Sequence, residues 1–80
     1  MLKVSVISPE AVLFEGDATS VVAPAFDGEV GILTGHAAMV TTLGEGTLRL
    51  GDGQKFSVAG GFVQVADNEV RVVTEKASRA

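Results

Sequence analysis

Gly46-Thr47-Leu48-Arg49-Leu50-Gly51-Asp52-Gly53-Gln54-Lys55-Phe56-Ser57-Val58-Ala59-Gly60-Gly61-Phe62-Val63-Gln64-Val65-Ala66-Asp67-Asn68-Glu69-Val70-Arg71-Val72-Val73 alternates apolar and polar residues in short runs. A period of two puts successive side chains on opposite faces of a strand, and residues such as Leu48 and Leu50, Phe56 and Val58, or Val63 and Val65 then share one face. The runs are separated by Gly51-Asp52-Gly53 and by Asp67-Asn68, both of which favour tight hairpin turns. Gly60-Gly61 interrupts a run instead of ending it, which in a strand pattern marks a bulge, a sharp bend or a close backbone approach. The strand is expected to change sheets there.

Toward the N-terminus the same grammar continues. Residues 2–7 alternate around Val4 and Val6, and Pro9 closes that strand because it cannot donate to a ladder. Residues 11–15 and 18–23 flank Gly16-Asp17 and read as a second and third strand joined in a hairpin. Phe26 to Gly35, with three glycines around Glu29-Val30-Gly31-Ile32-Leu33, reads as a short strand leading into a loop. His36, Met39, Val40 and Leu43 fall at helical spacing. The segment is short, however, and its Val40, Thr41 and Thr42 are all β-branched, which favours a strand. Lys76 to Ala80 is polar and is expected to fray. About eight to ten short strands at regular turn spacing indicate an all-β sandwich or barrel.

Eighty residues without a repeat or linker make one domain, 1–80, with a thin core. Trp and Tyr are absent, so Phe14, Phe26, Phe56 and Phe62 are the only large aromatics and valine does most of the filling. The lack of cysteine removes a disulfide framework and fits a reducing compartment. No stretch is apolar enough for a signal peptide or membrane span, so direct lipid insertion is not expected. A formal charge of −4 without a basic cluster disfavours nucleic acid as a partner.

The chemistry-bearing residues are sparse. His36 is the only histidine and is a candidate base with Glu29 or Asp27, but no nucleophile completes a triad. Gly28, Gly31 and Gly35 lack the Gly-Lys-Ser/Thr ending of a phosphate loop. A lone histidine with irregularly spaced carboxylates lacks the ligand set of a zinc site. Lys55, just past Gly51-Asp52-Gly53, is the sole candidate for a modified carrier lysine, and it has no flanking methionine. Neither catalysis nor a cofactor is expected.

As one string, Gly28-Glu29-Val30-Gly31-Ile32-Leu33-Thr34-Gly35-His36-Ala37 resembles the N-terminal domain of the epsilon subunit of bacterial F-type ATP synthase. Its family pattern is Gly-Glu-Leu-Gly-Ile-hydrophobic-Pro-Gly-His-Ala-Pro. Val12-Leu13-Phe14-Glu15-Gly16 looks like the family's early Phe-x-Gly turn, and Val58-Ala59-Gly60-Gly61-Phe62-Val63-Gln64-Val65 looks like its Ser-Gly-Gly-Phe-x-x-Val segment. Thr34 and Ala38 stand where the family usually has prolines, and Ala59 where serine is common. Each lost proline leaves more freedom in the unfolded chain, at a cost of about 0.4–1 kcal/mol.

The resemblance implies a β-sandwich of two sheets at the foot of the rotating central stalk. It implies a non-catalytic subunit, peripheral on the cytoplasmic face of the bacterial plasma (inner) membrane, that couples proton transport to rotary ATP synthesis. By matching positions, Glu29 and Gly31 face the c-ring, and Ser8, His36 and Thr41 face the gamma subunit. Met39 joins the latter group if it is exposed. The family's C-terminal two-helix domain, which can inhibit hydrolysis and in some members binds ATP, is absent from residues 1–80, so no ATP site is expected here. An unrelated β-sandwich adaptor using the same loop is the alternative.

Overall fold

The computed structural model describes residues 1–25, 28–51 and 53–79, and these hold eight strands and no helix. The strands are β1 (Leu2–Ile7), β2 (Val12–Ala18), β3 (Ser20–Ala25), β4 (Gly28–Leu33), β5 (Met39–Thr42), β6 (Gly46–Leu50), β7 (Lys55–Ala66) and β8 (Glu69–Arg79). Hydrogen bonding runs through one sheet in the order β2-β1-β8-β7-β6-β3-β4, with β5 attached to β7. All pairs are antiparallel except β1 with β8.

The sheet encloses a core because β7 and β8, 12 and 11 residues long, serve two halves of it. Residues 55–58 of β7 pair with β6, whereas residues 62–65 pair with β5. Between them the buried set changes phase, from Phe56 and Val58 to Val63 and Val65. The phase change falls at Gly60 (φ 76°) and Gly61 (φ 109°), a backbone region that side-chain-bearing residues avoid. At Gly61 a Cβ would overlap the Val73 carbonyl oxygen and lie 2.8 Å from Thr74 Cα. Opposite this corner, Thr74 is the one buried polar residue among those described, and its hydroxyl donates to Lys76 O at 2.8 Å, with Ala59 O at 3.4 Å. The expected two sheets are thus two halves of one sheet that folds over at the glycine pair.

The interior between the halves is a single cluster, mostly valine and leucine. Leu2, Val4 and Val6 of β1 and Val70 and Val72 of β8 face Val21, Ala23, Ile32, Leu48 and Phe56 from the other half. Phe14 meets Phe56 edge-on, with ring centroids 6.3 Å apart. On the remaining side, a bridge between Ala25 and Leu43 and a 2.7 Å bond from Gly44 N to Pro24 O join the end of β5 to β3.

Three expectations are corrected. Gly16-Asp17 is not a hairpin turn: both residues lie inside β2 and pair with Val4 and Lys3 of β1, and β2 and β3 are not partners. Gly16 lies against the Phe14 ring, where a Cβ would make an ordinary van der Waals contact at 3.4 Å. The same placement corrects the Phe-x-Gly turn. Lys76 to Arg79 is not frayed, since β8 extends to Arg79, whose guanidinium lies 5.5 Å from the Phe56 ring centroid. Lys55 stands just past the turn as expected, as the first residue of β7, paired with Arg49. The readings that involved Phe26, Asp27, Asp52 and Ala80 fall outside the described residues. The strand reading of the ambiguous segment holds for Met39–Thr42, with Leu43 buried just beyond it.

Candidate functional site

The Gly-His loop follows β4. His36 N donates to Leu33 O at 3.0 Å, and Gly35 has φ 87°, which together define a type II turn over residues 33–36 with glycine at the position that needs positive φ. Thr34 occupies the turn's second position, where proline's fixed φ fits best. Gly35 N donates to Asn68 Oδ1 at 2.7 Å, tying the loop to the β7–β8 turn. His36 is half-buried, and its Nδ1 lies 2.8 Å from Ala37 O. A carbonyl can only accept, so Nδ1 carries the proton in this bond and Nε2 is left to meet a partner.

Glu29 and Gly31 stand on the outward face of β4, an edge strand. Both carboxylate oxygens of Glu29 accept from Arg49 Nη2 at 3.1 Å, and the pair is about half exposed, 46% for Arg49 and 57% for Glu29. Gly31 has no positive φ, and a Cβ there would meet nothing within 4 Å. Nothing within the fold requires a glycine at that position. It leaves a bare stretch of backbone between Glu29 and the exposed Leu33.

The expected gamma-facing residues do not form one spot. Ser8 closes the turn after β1, with Ser8 N donating to Ala11 O at 2.8 Å and its own hydroxyl engaged with Ala11 at 3.2 Å. Asn68, beside the His36 loop, binds Lys3 N at the opposite end of β1. Met39 and Thr41 lie opposite Val65 and Val63, so both point to the core side and are half-buried, and Met39 packs against the core. The outward residues of β5 are Val40 and Thr42, with Val40 68% exposed.

An unanticipated feature lies on that outward face. Thr42 pairs with Phe62, Phe62 with Val73, Val73 with Ile7, and Ile7 with Val12. Four apolar side chains therefore run in a row across β7, β8, β1 and β2, with Val40 diagonal to Phe62 at one end. Val12 and Phe62 are clearly exposed, and Ile7 and Val73 partly so. The adjacent rows are polar, with Gln64, Arg71, Ser5 and Glu15 and then Glu69, Lys3 and Asp17. The signal in the sequence was Phe62, which is out of phase with Val63 and Val65. Its assembly with Ile7 and Val12 was not legible, because register between distant strands leaves no local pattern.

Among the described residues no group of three or more histidines or carboxylates stands close enough to hold a metal ion. No helix is long and apolar enough to cross a membrane. The shallow depression lined by Lys3, Ser5, Glu15, Asp17, Glu69 and Arg71 is open and carries charges of both signs.

The family model of the ATP synthase delta/epsilon chain β-sandwich domain matches residues 1–80. The chain is 47% identical to the ATP synthase epsilon chain of Leptospira interrogans over 92% of its own length and 61% of the relative's. With that of Desulforamulus reducens it shares 43% over 98% of its length, again 61% of the relative's. It therefore spans about three fifths of the length of these relatives. Among solved structures, a chain of the Euglena gracilis mitochondrial ATP synthase superposes with a TM-score of 0.89 at 23% identity, covering 98% of this chain and 52% of the other. One from the Tetrahymena thermophila mitochondrial ATP synthase central stalk and c-ring gives 0.81 at 19%, covering 96% and 65%. At these identities the structural likeness speaks for the fold.

Proposed function

This chain belongs to the ATP synthase delta/epsilon β-sandwich family, and on that premise we propose that it is a non-catalytic central-stalk domain that links the gamma subunit to the c-ring. In this role it transmits rotation driven by proton transport to ATP synthesis, at the cytoplasmic face of the bacterial plasma membrane. The observation that carries the docking role is the apolar row Val12, Ile7, Val73 and Phe62 on an outward sheet face, where a monomer gains nothing by exposing it.

On this reading gamma covers that face, with Ser8 and the His36 loop at its two ends and Met39 and Thr41 buttressing the strand that carries Val40. The c-ring meets the opposite half of the molecule at Glu29 and Gly31. The bare backbone at Gly31 admits a polar loop closely, and Glu29 together with Arg49 offers it both an acceptor and a donor. The folded sheet supplies the stiffness that torque transfer needs.

Gel filtration with the gamma subunit of the same source tests the assignment, and a stable complex is expected. Its absence would favour an unrelated adaptor. Glu29→Lys removes the ion pair and sets a cation beside Arg49. It should weaken attachment of the stalk to the c-ring while lowering fold stability by no more than about 1 kcal/mol. Unchanged attachment would overturn the c-ring contact.

A further inference from the structure

We propose that Asn68 is a positioning residue for the His36 loop. The proposal rests on the reading of His36 as a gamma contact and deepens it. Asp67 and Asn68 have φ of 50° and 61°, the left-handed pair of a tight hairpin turn, and asparagine tolerates that region better than other side-chain-bearing residues except aspartate. Turn formation alone would be served by glycine. What asparagine adds is a side-chain oxygen, and it accepts the Gly35 amide at 2.7 Å from a residue 33 positions away.

The bond joins elements that share no ladder. β4, which leads into the loop, pairs only with β3 in the other half of the sheet, whereas the β7–β8 turn abuts the start of β1, where Asn68 O accepts from Lys3 N at 2.8 Å. The loop residues from Gly35 to Ala38 lie outside any strand and are largely exposed. Among the described residues, the loop's other hydrogen bonds are those of its own turn and the His36–Ala37 contact. Asn68 therefore fixes where Gly35, and with it the His36 ring, stands relative to the apolar row of the β1–β8–β7 face. A loop held in place before binding loses less freedom when a partner arrives, so its anchor acts on affinity more than on fold stability.

The test compares three variants of the chain for binding to the gamma subunit, with amide exchange at Gly35 as a second readout. Asn68→Gly keeps the left-handed turn but removes the acceptor. It should speed Gly35 exchange at least severalfold and weaken binding about three- to tenfold, with the thermal midpoint close to that of the parent. Asn68→Asp keeps an acceptor and tolerates the turn, and should restore both readouts to near the parent values. His36→Ala measures the underlying contact and should weaken binding by itself. If Asn68→Gly binds like the parent while His36→Ala is impaired, the positioning role is overturned and the docking reading stands. If His36→Ala also binds like the parent, the His36 contact fails and the positioning role fails with it. A loss of binding that Asn68→Asp does not restore, with both variants folded, also overturns the proposal.

Discussion

Single residues set this fold's limits at two places. Gly61 combines φ 109° with a Cβ position already occupied by the Val73 carbonyl, so no other residue fits without moving β8. Gly61→Ala should destabilise the chain by at least about 2 kcal/mol in urea unfolding, and a loss below about 0.5 kcal/mol would contradict the geometry. Thr34 is the converse case, a residue that the backbone could exchange for a better one. It sits second in a type II turn, and Thr34→Pro should raise stability by about 0.4–1 kcal/mol by restricting the unfolded chain. A lowered thermal midpoint would show that the turn is not what the Leu33–His36 bond and Gly35 φ indicate. The family resemblance marked this position as a missing proline, and the turn geometry supplies the reason that a proline suits it.

At the scale of elements, the corner in β7 and β8 decides the architecture. Its register is unbroken, with Ala59 opposite Lys76 and Gly61 opposite Thr74, yet the buried faces exchange phase across it. The Thr74 hydroxyl holds the turn from inside. Thr74→Val keeps the shape and removes the donor, so it should cost about 1–2 kcal/mol with an unchanged m-value. An unaltered midpoint would mean the hydroxyl contributes nothing at the corner. The alternation in residues 46–73 was legible because each strand face contacts one environment. The hairpin assigned to Gly16-Asp17 failed because a glycine next to an aromatic ring in a strand looks, in one dimension, the same as a glycine in a turn. The edge of β8 was missed for a related reason: Lys76 to Arg79 is polar, and its order comes from pairing with β7 and from the Phe56 ring, both remote in sequence.

At the scale of the whole molecule, one closed core leaves one outward face with an apolar row. Replacing Val12 and Val40 together by threonine keeps β-branching while adding a hydroxyl at each exposed position. It should leave stability within about 0.5 kcal/mol per site and weaken binding to gamma severalfold. Retained affinity would show that gamma docks elsewhere. The sequence by itself determined the strand-rich character, the lack of any cysteine and, through the Gly28–Ala37 and Val58–Val65 strings, the family. These are properties of composition, local alternation and contiguous motifs, all of which survive in one dimension. Only the tertiary structure decided that Met39 points inward while Val40 points out, that Glu29 is already paired with Arg49, and that Ile7, Val12, Phe62 and Val73 share a row. Each of those depends on the register between strands far apart in the chain, which is set by how both halves of the sheet close on a common core.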